Sequence, residues 1–529
     1  MNFSLVFGER NLAGPVVSPT IMIMYTSLIL RRVPSRLALT MAVLVAAFCM
    51  ASGGEIDVRR TQLFLDDEII ESVTLLERVL HQPVRHSENP LLSPEKPWEG
   101  SSMNYLGGVY RDEATGLFRT WYVGVVSGGV PGMPKIHYPI CIALSDDGIH
   151  WRRPKLNHYA HLTGGPNNIV LHLDQGCAAA PTILHDKNDP ERAWKLIIHH
   201  SPETPCHYYV RLATSPDGIN WKWETTAKTG VYAKMHDRLT AMLDPTNREF
   251  PFVLFGRPAL SRDYPLLYPG RIWTREVFQT RLSADAGRIS EDPVPVLRPD
   301  LEDPTDTEFY HMHAFTYESL HIGMLMTYRV SDPPRAEVQL VTSRDLQSWQ
   351  RVRPRSVFIP SMLPEGRDHG IWDAAGVQPA LSPPIHHKGA LWFYYYGGPE
   401  FHGSRFLNGD YRLGVARLRL DGFASLRANW REGTLTTRPF KWPGGKLVIN
   451  CEPRGVPTES WVRVAVLNEA GQALPGYSRE NSDPIERDSV TATPIWSGKP
   501  QYLDSLIGKK IRLRFFMRQA NLYSFKALK

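Results

Sequence analysis

The sequence predicts an all-β protein, and three features lead to that prediction. The 529-residue chain contains 43 Pro and 40 Gly, spread along its whole length, which favours short strands joined by turns over long helices. It also contains 20 Phe, 14 Trp and 21 Tyr among 42% hydrophobic residues, a composition suited to a packed, aromatic-rich core. Finally, one turn motif recurs at nearly regular spacing, which is typical of proteins built from a repeated supersecondary unit.

The recurring motif is SDDGIHW at 145–151 and SPDGINW at 215–221, with a degenerate SRDLQSW at 343–349 and weaker copies at 282–289 and 418–426. Each copy has an aspartate at the equivalent position, and successive aspartates are separated by 70, 68, 60 and 76 residues. They are Asp147, Asp217, Asp285, Asp345 and Asp421. In each unit an aromatic-rich strand precedes a second strand that runs into the turn. Asp and Gly suit this place because they tolerate the positive φ of a tight hairpin. The motif therefore predicts five hairpin-containing units.

The period predicts a five-bladed β-propeller followed by a β-sandwich. One strand before and one after each hairpin gives four antiparallel strands per unit, and apolar runs such as LWFYYY suit strands covered on both faces. We place the propeller at 81–428, after an N-terminal segment at 54–80 whose strand closes or caps the ring. The C-terminal stretch 429–529 alternates apolar and polar residues, as in WVRVAVL, and is predicted to be the sandwich. It has two candidate roles, capping the last blade and binding carbohydrate.

The first 53 residues predict an export segment. The apolar run LALTMAVLVAAFCMA at 37–51 follows Arg31, Arg32 and Arg36 and is followed by small residues, which is the order of a secretory signal. The run is short for a membrane span, so no integral span is expected after processing. An exported protein, periplasmic or extracellular, is predicted. An N-terminal anchor helix left in place is the alternative.

Charge and cysteine content exclude several classes of partner. The net charge of +6 falls to +3 when residues 1–53 are removed, and no Lys/Arg block is long enough to follow a phosphate backbone. Nucleic acid is therefore not expected as a partner. The cysteines form no CxxC pair, which argues against a zinc or dithiol site. His311 and His313 have the spacing of two ligands on one strand face but no third ligand, so neither a metal nor another cofactor is predicted.

Several stretches resemble a known group of enzymes. HQPVRHSENPLLSPEKPWEG at 81–100, the SxDGxxW turns, ARLRLDGFASL and GTLTTRPFKWPGGKLVIN resemble secreted bacterial proteins with the five-bladed propeller of glycoside hydrolase families 32 and 43, the levanase/invertase and arabinanase/xylosidase type. The resemblance implies a hydrolase that acts on a poly- or oligosaccharide. The Asn-Asp-Pro-Asn-Gly, Arg-Asp-Pro and Glu-Cys motifs of family 32 are absent, so catalytic residues cannot be transferred by motif.

Candidate catalytic residues follow from the propeller prediction. The innermost strand of each blade lines the central channel, and glycosidic cleavage needs one carboxylic acid and one carboxylate. Five acids lie in or beside the predicted inner strands: Glu99, Asp237, Glu308, Asp368 and Asp373. We expect paired-carboxylate chemistry from among these. Asp147 and Asp217 are assigned to turns, because one active site cannot use every copy of a repeated position.

Candidate substrate-binding residues lie beside the same acids: Tyr105, His236, Arg238, Tyr310, His311, His369 and Trp372. Strand alternation predicts that Glu308, Tyr310 and Met312 share one face and that Phe309, His311 and His313 share the other. Arg257 and Arg271 are further candidates, for a substrate carboxylate.

Two alternatives to this hydrolase stay open. One is a non-catalytic carbohydrate-binding or surface module. The other is a sialidase-like hydrolase, because the SxDGxxW turn resembles the Asp-box of sialidases, and three arginines that converge with a tyrosine would favour it.

Overall fold

A computed structural model describes residues 56–100, 102–124, 137–173, 177–201, 209–225, 229–235, 238–257, 275–331, 334–362, 371–399, 411–456, 458–497, 499–500 and 503–528. The predicted export segment therefore lies outside the described residues. Within the described ranges the regular structure is almost entirely β, which confirms the all-β prediction. The helical exceptions there are short: Ala160–Thr163 and the 3₁₀ turns Pro97–Glu99, Pro190–Arg192 and Asp504–Leu506.

Four short strands precede the repeated units: β1 (Gln62–Leu63), β2 (Ile70–Thr74), β3 (Leu76–Leu80) and β4 (Val84–Arg85). The first meander comprises β5 (Met103–Arg111), β6 (Phe118–Gly124), β7 (His137–Ser145) and β8 (Trp151–Arg152), with β9 (Ile169–Leu173) also on β7. The second comprises β10 (Cys177–His185), β11 (Trp194–Ser201), β12 (Tyr209–Ser215) and β13 (Lys222–Trp223). In both meanders, strands that follow one another in the chain pair antiparallel.

Three further meanders follow. The third comprises β14 (Thr240–Leu243), β15 (Phe252–Gly256), β16 (Val277–Leu282) and β17 (Val294–Leu297). The fourth comprises β18 (Thr307–Tyr317), β19 (Leu320–Arg329) and β20 (Arg335–Ser343), on which β21 (Gln350–Arg351) and β22 (Val357–Ile359) pair. The fifth comprises β23 (Gly376–Pro379), β24 (Ile385–His387), β25 (Ala390–Gly398) and β26 (Arg412–Arg419), and a parallel pairing of β23 with β20 joins it to the fourth in one continuous sheet.

The core side chains show how the meanders pack. The first shares a buried cluster with the second, through side chains such as Trp121 and Leu196. Equivalent clusters join the second to the third, the third to the fourth and the fourth to the fifth. A last cluster contains Phe118 of the first meander and Trp392 of the fifth. Each described meander thus packs on its successor, and the fifth packs on the first.

The repeated motif forms the predicted turns. Asp217 Oδ1 accepts hydrogen bonds from the amides of Ile219 and Asn220, both at 2.8 Å, and Gly218 has φ 75°. Asp147 makes the same pair of contacts in the first meander. These aspartates order a turn, as their repetition predicts.

The first strands of the meanders lie beside one another. The Ala241 amide in β14 donates to Thr182 Oγ1 of β10 at 3.2 Å, and the Val109 amide in β5 donates to Ser382 Oγ after β23 at 3.0 Å. A Cβ on Gly108, which has φ 118°, would lie 2.9 Å from the Leu381 carbonyl oxygen, so the close approach requires glycine there. Residues at the starts of these inner strands are therefore brought together.

The strands β1, β2 and β3 pair with C-terminal strands, whereas β4 pairs with β26 and extends the fifth meander. The C-terminal strands are β27 (Ala424–Ala428), β28 (Gly433–Thr437), β29 (Phe440–Lys441), β30 (Lys446–Pro453), β31 (Trp461–Leu467), β32 (Ser489–Ala492), β33 (Ile495–Trp496), β34 (Lys499–Pro500), β35 (Lys510–Arg518) and β36 (Ala520–Leu528). The strands β33 and β34 pair only with each other, and the rest belong to two larger sheets. Phe515 of one larger sheet lies 5.5 Å from Phe525 of the other, measured between ring centroids.

Candidate functional site

A β-bulge shapes the start of β18. Phe309 pairs with Thr327 and His311 pairs with Met326, so Tyr310 is an extra residue between two successive pairs. Phe309 and Met312 consequently share one buried cluster, on the opposite face from His311. The predicted alternation is wrong beyond Phe309, because strict period-two alternation does not allow for an inserted residue.

Three arginines surround the side chain that the bulge displaces. The guanidinium carbons of Arg238, Arg257 and Arg275 lie 5.2, 5.1 and 5.2 Å from the ring centroid of Tyr310. Tyr310 is 2% exposed and Arg257 is 6% exposed. Two guanidinium groups this near one ring are at most about 10 Å apart, where like charges repel by roughly 1.7 kcal/mol at an effective dielectric constant of about 20. Such a cluster is stable only where anions or strong dipoles offset the repulsion.

The arginines change the acidity of the phenol. Burial alone would raise the pKa of Tyr310, but the positive charges of Arg238, Arg257 and Arg275 outweigh burial, and the pKa is lowered from its ordinary value of 10. The Tyr310 phenol therefore loses its proton more easily than the phenol of an ordinary buried tyrosine.

Neighbouring polar groups position two of the arginines. Arg275 makes an ion pair with Glu308, which is also buried. Arg238 donates from Nη1 to Gln378 Oε1 of β23 at 3.0 Å. The cluster thus draws on the third, fourth and fifth meanders, at the starts of β14, β16, β18 and β23 and the end of β15.

Two buried histidines, His311 and His313, follow Tyr310 on β18. His311 is 5% exposed, and neither of its ring nitrogens has a hydrogen-bond partner in the described part of the chain. Burial, together with the charges of Arg238 and Arg257, holds its pKa well below the ordinary value. Burial also lowers the pKa of His313 to about 3. Both imidazoles are neutral at pH 7. Among the described residues no group of three or more metal-ligating side chains occurs.

Glu99 lies in a different kind of environment. Its side chain is 0% exposed and accepts hydrogen bonds from Arg153 Nε at 2.7 Å, from Tyr122 Oη at 2.5 Å and from the amides of Glu95 and Lys96 at 2.8 and 3.0 Å. Burial opposes ionisation, but the hydrogen bonds from Arg153, Glu95 and Tyr122 outweigh it and lower the pKa of Glu99. The carboxylate is enclosed and fully bonded by protein groups.

Asp373 is enclosed as well. Its Oδ2 accepts hydrogen bonds from Arg85 Nε at 2.7 Å and Tyr395 Oη at 2.9 Å, and its side chain is 2% exposed. Trp372 stacks on Tyr395 with 5.6 Å between ring centroids. Arg85 belongs to β4, so this ion pair connects the N-terminal strand to the fifth meander.

The structure brings together Glu308, Tyr310, Arg238 and His311 from the predicted site, and it places Glu99 and Asp373 in separate networks. The remaining predictions lie outside the described residues: His236, Asp237, Arg271, Asp368, His369 and the side chain of Tyr105.

Sequence reasoning singled out Arg257 but missed Arg275 and Gln378. Arg275 stands just before β16 and Gln378 is a polar residue in a short inner strand, so a search for polar residues at every strand entrance would have found both.

No family model matches the chain, and no curated protein matches its sequence. Similar solved structures include an α-L-arabinofuranosidase from Podospora anserina in complex with cellotriose, 12% identical over 64% of this chain and 97% of that one, with a TM-score of 0.41. A thermostable family-43 glycoside hydrolase is 14% identical over 61% and 94% of the two chains, with a TM-score of 0.38. An N-acetylgalactosamine deacetylase from F. plautii, in complex with blood group B trisaccharide, is 14% identical over 66% and 97%, with a TM-score of 0.44.

Proposed function

We propose that the chain is an exported glycoside hydrolase that acts on a poly- or oligosaccharide, built as a five-bladed propeller followed by a β-sandwich. The cyclic order of core clusters among the described meanders supports the propeller. The contact between Phe515 and Phe525 across the two C-terminal sheets supports the sandwich. In the described part of the chain no helix is long and apolar enough to span a bilayer.

The single observation that carries the functional proposal is the cluster around Tyr310. It combines a carboxylate, a phenol of lowered pKa, three guanidinium groups and a neutral imidazole where the inner strands converge. Polar groups concentrated at such a convergence are the usual mark of a ligand site.

In the paired-carboxylate mechanism Glu308 is one of the two carboxyl groups, and Asp237 or Asp368 is the other. One protonates the leaving oxygen while the second attacks the anomeric carbon or activates water. A separation near 5 Å predicts retention, and about 6.5 to 9.5 Å predicts inversion. Glu99 and Asp373 are enclosed by protein donors, so we assign them to holding the fold.

A sialidase-like hydrolase is the second candidate, because three arginines do converge with a tyrosine. There a carboxylate would take the phenol proton of Tyr310 as the tyrosine oxygen attacks the anomeric carbon, and a carboxylic acid would protonate the leaving oxygen as its bond to that carbon breaks. Water would then attack the anomeric carbon and give a proton to the deprotonated acid, while the departing tyrosine oxygen takes its proton back from the first carboxyl group.

Reducing-sugar release, measured on a panel of poly- and oligosaccharides, tests the proposal. We expect release by the wild type and at least a hundred-fold loss in Glu308→Gln. Glycan binding without release, unchanged in Glu308→Gln, would instead establish the non-catalytic module. Accumulation of a glycosyl-tyrosine in a quenched reaction, detected by mass spectrometry of the peptide that contains Tyr310, separates the two mechanisms.

A further inference from the structure

We propose that a surface groove beside Trp430 binds a neutral sugar unit of a polysaccharide, with the sugar ring stacked on the indole. The groove has a volume of about 350 Å³ and lies where β2 is followed by β3 and β27 by β28. This volume is at the small end of the range for ligand sites and suits a short stretch of glycan. The groove is built by strands outside the five meanders, so it would be a second glycan contact that does not depend on the Tyr310 cluster.

Two chain segments form the groove as they cross from one sheet to the other. Leu75 connects β2, which pairs with β28, to β3, which pairs with β27. Its φ of 53° is a left-handed conformation that is costly for a leucine, so the rest of the structure must hold this turn in place. Residues 429–432 make the opposite connection, from β27 to β28. A Cβ on Gly433 would lie 2.7 Å from the Leu75 carbonyl oxygen, so the two segments approach closely only because this residue is glycine.

Trp430 provides an exposed aromatic surface in the groove. It is 65% exposed, whereas Trp442 and Trp496 of the same sheets are fully buried. The guanidinium carbon of Arg431 lies 4.7 Å from the indole ring centroid, and most of the side chain still contacts solvent. Leu75, which also lines the groove, is 59% exposed. Adjacent exposed apolar side chains of this size mark an interaction site, because covering them releases ordered water.

Hydrogen-bonding groups of both types lie beside the indole. Glu77 and Arg427 are directly opposite each other on β3 and β27, so their side chains share one face of that sheet. Arg427 Nε donates to Asn521 Oδ1 at 3.0 Å rather than to Glu77. The side chains of Glu77 and Asn429, both exposed, have no hydrogen-bond partner within the described ranges. A ligand can therefore bind them without displacing a protein contact.

This combination of groups matches a sugar. A sugar ring has apolar C–H faces, which suit an indole, and hydroxyl groups at its edge that both donate and accept hydrogen bonds. The Glu77 carboxylate can accept from such hydroxyls, the Arg427 guanidinium can donate to them, and the Asn429 amide can do both. Because a carboxylate and a guanidinium share the groove, a neutral ligand with donors and acceptors is better matched than an ion of either sign.

Affinity gel electrophoresis of the full chain tests the proposal. Native gels are run at 4 °C, where hydrolysis is slow, with arabinoxylan, debranched arabinan, galactan, levan or mixed-linkage β-glucan in the matrix. Wild type is compared with Trp430→Ala, Trp430→Phe and Glu77→Ala. The control is Tyr232→Ala, which removes an aromatic ring that is 44% exposed in another part of the chain. Melting curves confirm that each variant is folded, and none of these changes alters the Tyr310 cluster.

We expect at least one of the polysaccharides to retard wild type. Its dissociation constant should rise at least about ten-fold in Trp430→Ala, which loses the stacking surface, and by a smaller factor in Trp430→Phe. Glu77→Ala should weaken binding about three-fold or more, and Tyr232→Ala should leave it unchanged. Lack of retardation by every polysaccharide, or unaltered retardation in folded Trp430→Ala, would overturn the groove site. If Trp430→Ala does not fold, unaltered retardation in Glu77→Ala would overturn it.

A second copy of the chain is the other occupant that exposed apolar side chains could bind. Sedimentation velocity of wild type and Trp430→Ala distinguishes it. A wild-type dimer that Trp430→Ala abolishes, without retardation by any polysaccharide, would overturn the sugar site in favour of self-association. A monomer in both proteins, with retardation that depends on Trp430, would support the sugar site.

Sugar release from a panel of poly- and oligosaccharides keeps the groove and the proposed hydrolase distinguishable. On short oligosaccharides Trp430→Ala should release sugar at the wild-type rate, because Trp430 does not belong to the Tyr310 cluster. Retardation that depends on Trp430, without release from any substrate, would support the groove and overturn the hydrolase. Release with retardation unaltered in Trp430→Ala would support the hydrolase and overturn the groove. Neither retardation nor release would overturn both.

Discussion

Glu99 and Tyr310 stand close to the entrances of two inner strands, β5 and β18, and each is enclosed by arginine and other polar groups. Around Glu99 one carboxylate receives hydrogen bonds from one arginine, one tyrosine and two backbone amides, so acceptors and donors are matched. Around Tyr310 three arginines face one phenol and the carboxylate of Glu308. The same residue types form a closed network in one place and a cation-rich one in the other.

The difference teaches that residue type at a strand entrance does not by itself indicate function. A buried carboxylate whose hydrogen bonds are all made by the protein is suited to holding loops together, because nothing is left for a ligand to bind. The Tyr310 cluster instead combines a phenol of lowered pKa with a buried imidazole, that of His311, which has no hydrogen-bond partner among the described residues, so it still has groups that a ligand can contact. The predictions that follow test this contrast from the largest expected effect to the smallest.

The largest effect is expected in the cation-rich cluster. Glu308→Gln removes the carboxylate that pairs with Arg275 and should lower kcat for sugar release by about 10²- to 10⁴-fold, the usual range for a lost general acid or base. Steady-state kinetics measure it, with Glu276→Gln as the control, because Glu276 is also buried and paired with an arginine. Equal losses in both variants would remove the contrast between the two acids.

In the Glu99 network, a substitution should lower the stability of the fold rather than the activity. Glu99→Gln leaves the Arg153 charge buried with weaker partners and should lower the free energy of unfolding by about 3 to 5 kcal/mol. Urea unfolding measures it, with Glu113→Gln as the control, since the pair between Glu113 and Lys187 is solvent-exposed. A stable Glu99→Gln protein without activity would place Glu99 in the catalytic machinery.

Acid should affect the two regions in different pH windows. The pKa of His313 is about 3 in the folded chain and about 6.5 when unfolded, so the unfolded state binds more protons between these values. Stability should therefore fall as pH drops from about 6.5, by up to about 1.4 kcal/mol per pH unit for this residue. The lowered pKa of Glu99 stabilises the fold above about 4.5, and that contribution is lost only at lower pH.

Urea unfolding at pH 7, 6 and 5 isolates the histidine contribution. His313→Gln should make the slope in this window less steep by up to about 1.4 kcal/mol per pH unit and leave the contribution of other buried histidines such as His311, whereas the exposed His158→Gln should leave the slope unchanged. A slope in His313→Gln as steep as that of wild type would show that His313 does not contribute.

The smallest effect is expected in the repeated turns. Asp217→Ala removes two hydrogen bonds to backbone amides and should lower the free energy of unfolding by about 1 to 2 kcal/mol, with kcat unchanged. Thermal unfolding measures it, and the exposed Asp146→Ala should stay within about 0.5 kcal/mol of wild type. A marked fall in kcat for Asp217→Ala would tie this turn to catalysis.

The sequence was informative where a local signal repeats. The Asp-Gly turns and aromatic strands predicted all-β meanders because both depend on neighbouring residues. The orientation of Tyr310 was not predictable, since a β-bulge inserts a residue that periodicity does not reveal. The convergence of Arg257 and Arg275 on Tyr310 was not predictable either, because the two arginines are separated by 18 positions and meet only through tertiary packing. Glu99 was selected by position alone, and its enclosure depends on Arg153 from a distant loop.

Two tyrosines allow the central claim to be tested with matched changes. Tyr310→Phe and Tyr122→Phe each remove one buried hydroxyl, the first from the cation-rich cluster and the second from the Glu99 network. Measured side by side at a temperature where both variants are folded, sugar release should fall at least about ten-fold in Tyr310→Phe, which loses a hydroxyl that lies among charged groups of the site, and stay within about two-fold of wild type in Tyr122→Phe. Comparable losses in both, or a loss in Tyr122→Phe alone, would contradict the assignment of function to the Tyr310 cluster.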